Sequence, residues 1–173
     1  MITAAILTIS DSAAAGTRED VSGPAVRQRI EALGWTVLSH DVVPDDADLI
    51  AIKLRDLADV AHAAVVLTTG GTGIALRDVT PEATRAVAHR EIPGLSEVMR
   101  SEGRKSTPFA ALSRGIAGSR GGTLIVNLPG SPKGAVESLD AIASLIPHIV
   151  DLLHGKTDHA IGTVTQVSMK TSI

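Results

Sequence analysis

A short apolar run that ends in a glycine-rich loop constrains the fold of this chain more than any other feature. Residues 63–67, AAVVL, have the composition of a buried strand. Residues 68–73 follow as TTGGTG, and their three glycines allow the backbone to approach a ligand more closely than any side chain would permit. Asp78 comes next, and then Thr80-Pro81, which is typical of an N-cap and a first helical residue. This layout predicts a site for a phosphate-bearing anion.

The apolar residues of the chain are mainly small and branched aliphatics. Hydrophobic residues make up 44% of 173 residues, yet there is one Trp, one Phe and no Tyr. This composition favours a parallel sheet packed between helices, and the length fits one domain. A net charge of −3 and the scarcity of aromatic side chains argue against nucleic acid and anionic membranes as partners. The absence of cysteine excludes disulfides and thiol catalysis.

Strand patterns alternate with helix patterns along the chain. We expect strands at residues 2–9, 35–43, 63–67 and 123–128. We expect helices from Pro24, after Pro44 where Leu49, Ile52, Leu54 and Leu57 continue as a helix, from Thr80, near Leu95, and over 134–153 with a kink at Pro147. The alternation predicts an α/β fold: a three-layer α/β/α domain with a mainly parallel sheet over residues 1–155, followed by a C-terminal tail, 156–173.

The polar and glycine residues that follow the predicted strands should meet at one edge of the sheet. Ser10, Asp45, Gly70 and Pro129 each come directly after a strand or a residue or two later. In an open α/β sheet, ligands bind at the carboxyl ends of the strands. No apolar stretch reaches the length of about 20 residues that spans a bilayer, and no signal segment is apparent, so we expect a cytoplasmic protein.

Three common catalytic or phosphate-binding motifs do not account for the glycine loop. Leu76 stands where a Rossmann fingerprint that begins at Gly71 has its third glycine. Elsewhere in the chain, residues 155–157, GKT, look like the end of a Walker A loop, but Val150 stands where that motif has its first glycine. The chain also lacks the G-x-S-x-G elbow of α/β-hydrolases.

From the residues alone, the candidate site residues also have structural interpretations. An acid such as Asp78 favours a helix start without any ligand. Asp45 after Pro44 is typical of a turn, and Ser113 is typical of a helix cap. A nucleotide-binding hydrolase is a further alternative, since it would use the same glycine and aspartate geometry on another phosphate ester.

The order of several motifs resembles the MogA/MoaB molybdopterin-binding family. The glycine loop is followed by RDVTPEAT at residues 77–84, which is similar to the signature of that family. The resemblance extends over most of the chain, to residues 9–12, 43–46, 90–94, 107–114 and 127–132. It implies the three-layer α/β fold and a homotrimer.

Within the family, the chain is most similar to the adenylyltransferase branch, whose members transfer AMP from ATP to the terminal phosphate of molybdopterin and release pyrophosphate. The resemblance implies that Asp45, Asp78 and Ser113 are catalytic, and that Asp45 and Asp78 carry Mg²⁺. The residues implied for binding ATP and molybdopterin are Ser10, Gly70, Gly71, Thr72, Gly73, Pro129, Gly130 and Ser131. A downstream molybdate-inserting enzyme is the implied partner.

A non-catalytic, MoaB-like protein that binds molybdopterin is the alternative within the same family. The segment at residues 77–81, RDVTP, favours the enzyme, whereas the block at 91–94 fits both. Asp11, Ser12, Arg77 and Lys133 stay open between a role in the site and a solvated or capping role.

Overall fold

The computed structural model describes residues 1–156, and the secondary structure follows the predicted alternation. The strands are β1 Thr3–Ile9, β2 Thr36–Val43, β3 Val65–Thr69, β4 Arg90–Glu91, β5 Ala117–Arg120 and β6 Thr123–Leu128. The α-helices are α1 Asp11–Ala14, α2 Ser22–Ala32, α3 Ala47–Arg55, α4 Thr80–Val87, α5 Pro93–Ser106, α6 Pro132–Ile142 and α7 Ile146–Leu153. A π-helical turn, Asp56–Val60, extends α3, and a 3-10 helix, Pro108–Leu112, follows α5. The predicted tail of residues 156–173 lies, apart from Lys156, outside the described residues.

The strands of residues 1–156 form one sheet in the order β2-β1-β3-β6-β5-β4. The first four in that order are parallel, while β5 is antiparallel to β6 and β4 to β5. The predicted mainly parallel sheet is therefore confirmed. The two antiparallel strands were not predicted, because AGSR and a two-residue segment carry no strand pattern of their own. Pairing with β6 places β5 in the sheet.

Two apolar cores, one on each face of the sheet, confirm the three-layer arrangement. Helices α2, α5, α6 and α7 cover one face, and α3 and α4 cover the other. Fully buried side chains such as Ile30 and Leu139 pack on the first face, and Ile50 and Leu54 pack on the second. No helix within residues 1–156 has both the length and the apolar character needed to cross a bilayer.

The helix predicted through Leu49, Ile52, Leu54 and Leu57 is present as α3 and the π-helical turn, but only part of this apolar set is buried. Leu54 and Leu57 are buried, but Leu49 and Ile52 are 46% and 52% exposed, and Ile50 is the residue that enters the core. Asp46 is the N-cap of α3, and its Oδ1 accepts the N–H groups of Asp48 and Leu49, whereas packing against the sheet decides which residues are buried.

The single kinked helix predicted for residues 134–153 is also wrong. The chain forms α6 and α7 with a turn between them, and Pro147 lies in the first turn of α7. Proline has no N–H to donate and is tolerated in the first turn of a helix, so it begins α7 instead of bending a longer helix.

Candidate active site

The loops that follow the four parallel strands meet at one edge of the sheet, as predicted. The Ser10 N–H donates to the carbonyl of Val43 at 2.9 Å, which joins the loop after β1 to the end of β2. The Gly70 N–H donates to the carbonyl of Leu128 at 3.3 Å, which joins the glycine loop to the end of β6. This register brings the candidate residues from four distant segments to a common place.

The glycine loop has a backbone that only glycine can adopt without strain or collision. Gly70 and Gly71 have φ angles of 102° and 63°. A Cβ at Gly71 would lie 2.3 Å from Thr80 Oγ1 and 3.1 Å from Asp45 Oδ1. A Cβ at Gly70 would lie 2.3 Å from the carbonyl oxygen of Ile9. The loop therefore lies directly against β1 and the acid that follows β2.

Thr80 is the first residue of α4, and the prediction that it is the N-cap is wrong. The N-cap is Val79, which makes no side-chain capping bond. Thr80 is fully buried, and its hydroxyl donates to the carbonyl of Gly70 at 2.9 Å. Its N–H donates to the carbonyl of Gly71 at 3.1 Å. Thr80 thus fixes the glycine loop through hydrogen bonds to two of its carbonyl groups.

Arg114 holds the other end of the glycine loop. Its Nε donates to the carbonyl of Gly73 at 2.7 Å, and its Nη2 donates to the carbonyl of Asp78 at 2.5 Å. Its own N–H donates to the carbonyl of Thr72 at 2.8 Å, and its guanidinium pairs with Glu82. Arg114 is therefore a positioning residue for the loop and for Asp78.

Asp78 turns its carboxylate back towards the loop. Its Oδ2 accepts the N–H of Ala75 at 2.8 Å. A Cβ at Gly73 would lie 2.8 Å from the same oxygen, so the glycine makes room for the carboxylate.

Asp45 is held by Asp11, and Asp11 is held by Arg77. The Asp11 N–H donates to Asp45 Oδ2 at 2.9 Å. Arg77 donates from Nε to Asp11 Oδ2 at 2.9 Å and from Nη2 to Asp11 Oδ1 at 2.7 Å. Such a two-point contact fixes the geometry of a carboxylate more firmly than a single hydrogen bond. Arg77 is thus engaged with a protein acid in this structure, and a role as phosphate partner stays a prediction.

The two neighbouring carboxyls have opposite pKa shifts. Partial burial, followed by the negative charges of Asp11 and Asp78, raises the pKa of Asp45 above 3.8, and these effects outweigh the Asp11 N–H and the charge of Arg77. The hydrogen bond from Arg77, followed by the N–H of Asp45, lowers the pKa of the Asp11 carboxyl. Asp45 is therefore a carboxylate whose negative charge would be stabilised by a cation.

A cavity of about 390 Å³ opens between the glycine loop and two helices. One face of α5 and the start of α6 form its side walls, and the 3-10 helix forms a third side. Its lining is largely apolar, from residues such as Met99 and Phe109, with the hydroxyls of Ser96, Ser113 and Ser131 between them.

A second cavity, of about 270 Å³, lies on the other side of the loop. Its lining is polar and charged and includes Ser10, Arg18, Asp20, Asp45 and Gly70. The two cavities have Gly71, Asp78 and Gly130 in common. They are therefore two parts of one site, which meet at the glycine loop.

Every residue predicted for the site lines one of the two cavities. Thr72, Gly73, Ser113, Pro129 and Ser131 line the larger cavity alone. Ser10, Asp45 and Gly70 line the smaller cavity alone. Ser113 and Asp45 therefore face different parts of the site, and Asp78 lies where the parts meet. The roles of these residues in binding and catalysis stay predictions.

Several residues around the site were not predicted. Arg114 and Arg100 donate to loop carbonyls, and Ser96, Arg100 and Glu137 line the larger cavity. The spacing of residues 96, 99, 100 and 103 on one helix face is the signal that could have found the α5 group. Lys133, in contrast, lines neither cavity, and its Nζ lies 3.7 Å from Oε1 of Glu137.

The described residues 1–156 contain no group of three or more His, Asp or Glu that could hold a metal on its own. Magnesium does not need such a group, since it commonly takes one or two carboxylates together with phosphates and waters. Asp45 and Asp78 both line the smaller cavity, and the negative charge of Asp78 helps to raise the pKa of Asp45. These two acids therefore fit Mg²⁺ in the presence of a phosphate ligand.

The fold and the site together define a three-layer α/β protein with the features of a phosphate-binding site at the carboxyl edge of its sheet. Residues 5–148 match the family model described as "Probable molybdopterin binding domain". The chain belongs to this family, and the predicted MogA/MoaB membership is confirmed.

Curated relatives extend the match. The chain is 48% identical over 153 residues to the molybdenum cofactor synthesis protein cinnamon of Drosophila melanogaster, covering 88% of this chain and 26% of that protein. It is 43% identical over 152 residues to the molybdopterin adenylyltransferase of Helicobacter pylori strain J99, covering 87% of this chain and 86% of the relative.

A solved structure agrees in fold. The molybdopterin biosynthesis enzyme MoaB from Thermus thermophilus superposes with a TM-score of 0.85 at 49% identity. The match covers 90% of this chain and 98% of that structure.

Proposed function

We propose that this protein transfers AMP from ATP to the terminal phosphate of molybdopterin. An oxygen of that phosphate would attack the α-phosphorus of ATP, and the bond from the α-phosphorus to the bridging oxygen of pyrophosphate would break. The products are adenylylated molybdopterin and pyrophosphate. The similarity to a protein named molybdopterin adenylyltransferase supports this reaction.

The observation that carries the proposal is that two cavities meet at Gly71, Asp78 and Gly130. A transfer between two phosphorylated substrates needs two binding spaces and one place where their phosphates come together. Glycines at that place allow phosphates to approach the backbone closely. A site for a single small ligand would not need two spaces of different polarity on either side of one loop.

The residues at the meeting place suit phosphate chemistry by position and charge. Phosphoryl-type transfer depends mainly on alignment of the reacting groups and on neutralisation of charge. Asp78 is oriented by the Ala75 N–H, and Arg114 holds the backbone of Asp78 and Gly73. Ser113, in the larger cavity, has a hydroxyl that can donate to a substrate phosphate. Ser10, in the smaller cavity, can do the same.

Asp45 and Asp78 would hold Mg²⁺ in this proposal. The ion would neutralise phosphate charge on ATP and so favour attack by another anion. Asp45 and Asp78 both line the smaller cavity, so their carboxylates can share a cation whose other oxygen ligands come from the substrate. The carboxylates themselves orient and stabilise the bound cation, while the glycine loop and hydroxyls orient the phosphates.

The proposal is tested with purified molybdopterin, ATP and Mg²⁺ by measuring pyrophosphate and adenylylated pterin. Wild-type protein should form both products in a pterin-dependent manner. Asp78→Asn should reduce the rate by about two to three orders of magnitude, since a charged group at the reacting phosphates is lost. Omission of Mg²⁺ with a chelator should abolish the reaction.

Asp48→Asn is the matched control, because Asp48 is an exposed acid in the first turn of α3 and lines neither cavity. Molybdopterin binding without product would favour a protein that only binds the pterin. Release of phosphate or pyrophosphate from ATP without molybdopterin would favour a hydrolase. Full activity of Asp78→Asn would remove this acid from the mechanism.

We also propose that the protein acts as a homotrimer. Exposed apolar side chains lie on the edge strand and on the next helix, namely Leu38, Val42, Leu49 and Ile52. Such side chains are typical of surfaces covered by another subunit. Light scattering should give a trimer mass for the wild type and a lower mass for Leu49→Glu/Ile52→Glu. Val60→Glu, at another exposed apolar position, is the control. A wild-type monomer would contradict this assembly.

A cytoplasmic location and delivery of the product to a downstream molybdate-inserting enzyme complete the proposed function. Adenylylation activates the phosphate as a leaving group, so the product is suited to a following enzyme that cleaves the new bond. The exposed apolar residues Ile74, Leu76 and Phe109 at the larger cavity or just beyond the glycine loop support a contact between proteins at this side.

A further inference from the structure

Helix α5 turns one of its faces towards the larger cavity. Ser96, Met99, Arg100 and Gly103 all line it. Residues three and four positions apart lie on one face of a helix, so a single surface of α5 forms this wall. Gly103 lets the 3-10 helix approach, because a Cβ there would lie 2.9 Å from the Cβ of Ala110. One face of α5, with the 3-10 helix packed against it, therefore forms one wall of the larger cavity.

The Ser96 hydroxyl is a buried polar group without a partner among residues 1–156. Ser96 is 3% exposed, and its Oγ makes no hydrogen bond within that part of the chain. Serines in helices often donate to a carbonyl one turn earlier, but this one does not. A buried hydroxyl without a hydrogen bond is unfavourable. Its position in a cavity wall points to a ligand that satisfies it.

Two other buried side-chain atoms also lack a hydrogen-bond partner within residues 1–156, and their location differs from that of Ser96 Oγ. They are Ser39 Oγ and Asp41 Oδ2, both on the edge strand β2. Ser39 and Asp41 line neither of the two cavities described above, whereas Ser96 lines the larger one. Ser96 is thus the one of these three residues that lines a cavity described here, and a turn of its side chain about Cα–Cβ would bring the hydroxyl to a ligand there.

The chemistry of the larger cavity favours a flat ring beside Ser96. Met99, Phe109 and Pro129 provide apolar surface, and the hydroxyls of Ser96, Ser113 and Ser131 lie among them. Cavities of this kind bind ring systems by apolar contact and orient them by a small number of hydrogen bonds. The phosphate end of such a ligand would extend towards Asp78, which lines the same cavity.

We propose that Ser96 binds the heterocyclic ring of the substrate that enters the larger cavity, through a hydrogen bond from or to its Oγ. This inference rests on the proposed function, because that function supplies two substrates with such rings. Both the pterin of molybdopterin and the adenine of ATP present ring nitrogens and amino groups in one plane. A hydroxyl suits either edge, since it can donate and accept.

The test measures binding of each ligand alone, so that no transfer takes place. Calorimetric titration of wild type, Ser96→Ala and Ser39→Ala with molybdopterin, and separately with ATP, gives the affinities. Ser96→Ala should weaken one ligand about five- to tenfold, the effect of one lost hydrogen bond, and leave the other unchanged. Weaker binding of molybdopterin by Ser96→Ala would place the pterin in the larger cavity, and weaker binding of ATP would place the adenine there. Ser39→Ala should change neither affinity.

Melting temperatures show whether a change in ligand affinity comes from the lost hydroxyl or from a loss of folding. Removal of an unpartnered buried hydroxyl should leave the melting temperature of Ser96→Ala and Ser39→Ala equal to or above that of the wild type. Ser96→Cys serves as a second variant, because it nearly keeps the volume of the side chain but hydrogen-bonds weakly. It should show the same ligand-selective loss as Ser96→Ala.

Unchanged affinity of both Ser96 variants for both ligands would overturn the inference. Wild-type protein that binds neither ligand would overturn the proposed function and this inference with it. Wild-type protein that binds both but transfers no AMP would overturn catalysis alone, and the role of Ser96 would still be decided by the titrations.

Discussion

Asp11 and Asp45 bind each other through a reciprocal pair of hydrogen bonds. The Asp11 N–H donates to Asp45 Oδ2 at 2.9 Å, and the Asp45 N–H donates to Asp11 Oδ1 at 3.0 Å. The pair locks the loops after β1 and β2 together and brings two carboxylates close to each other. Arg77 stabilises the charge of Asp11, whereas burial, followed by the negative charges of Asp11 and Asp78, raises the pKa of Asp45.

Arg77→Gln should move the acid limb of the pH–rate profile to higher pH. The positive charge of Arg77 lowers the pKa of Asp45, and its loss should raise that pKa further. Asp45 is expected to act when ionised, so activity is present above its pKa and lost as the pH falls through it. The rate of AMP transfer measured across the acid range up to neutral pH would show the shift. An unmoved limb would mean that Asp45 does not control it.

Arg27→Gln is the matched control for that measurement. Arg27 lies on α2 and pairs with Glu31 one turn away, and it lines neither cavity. Its loss removes one positive charge from the surface without changing the surroundings of Asp45. The limb should therefore stay in place.

Gly71→Ala and Gly16→Ala form a second test, since both glycines have positive φ angles, of 63° and 71°. A Cβ at Gly16 would meet nothing within 4 Å, whereas one at Gly71 would collide with Thr80 Oγ1. Gly16→Ala should lower the free energy of unfolding by about 1 kcal/mol and leave activity unchanged. Gly71→Ala should lower it by roughly 3 kcal/mol and reduce AMP transfer about a hundredfold. Equal effects of both changes on activity would contradict a role for the loop.

Asn127 should contribute to stability through three hydrogen bonds in the interior. Its Nδ2 donates to Thr84 Oγ1 at 2.8 Å and to Thr68 Oγ1 at 3.0 Å, and its Oδ1 accepts the N–H of Ile116 at 3.2 Å. Asn127→Leu would leave those partners unsatisfied and should cost roughly 3 kcal/mol in urea denaturation. Thr68→Val removes one of the three bonds and should cost about 1 kcal/mol. If Asn127→Leu lowers the free energy of unfolding by less than Thr68→Val does, the hydrogen bonds of Asn127 contribute little to stability.

Asp20 should make stability depend on pH in the acid range. Burial opposes its ionisation, but hydrogen bonds from the Gly23 N–H, Thr8 and His40 outweigh this and lower its pKa below 3.8. A depressed pKa in the folded state stabilises the protein above the unfolded pKa, and this stabilisation is lost as the pH falls through the folded pKa. The difference in unfolding free energy between wild type and Asp20→Asn should therefore be constant well above the unfolded pKa and shrink at lower pH.

Thr8→Val provides the matched variant for Asp20. It removes the hydroxyl that donates to Asp20 Oδ2 at 2.7 Å and keeps the shape of the side chain. The pKa of Asp20 should rise, so the loss of stability should extend over a narrower range of pH than in the wild type. If the unfolding free energies of Thr8→Val and the wild type depend on pH in the same way, this hydrogen bond does not stabilise the charged carboxylate.

The parts of the fold that could be predicted depend on local patterns. The strand at residues 123–128 was predicted with the bounds that it has, because an apolar run is set off by glycines before it and proline after it. The buried face of α3 could not be predicted, because Leu49 and Ile52 are as apolar as Ile50 and Leu54 and only packing on the sheet separates them. The strands β4 and β5 exist only through pairing, β5 with β6 and β4 with β5.

The candidate site divides in the same way. The glycine loop, Asp45 and the loop at Pro129 were predicted because each follows a strand and matches a family motif, and Asp78 was predicted from the motif after the glycine loop. Arg114 was not assigned a role, because its bond to the carbonyl of Gly73 joins positions 41 residues apart. Nothing in the residues around Arg114 signals that partner.

The sequence by itself determined the α/β class, the family and the position of the glycine loop, because strand composition, glycine freedom and each family motif are set by a few neighbouring residues. Only the tertiary structure decided that Arg77 holds Asp11 across 66 residues, that the pKa of Asp45 is raised, and that two cavities meet at Asp78. These features depend on strand order and register. Strand order brings distant carboxylates and guanidinium groups into the short range over which charge and hydrogen bonds act.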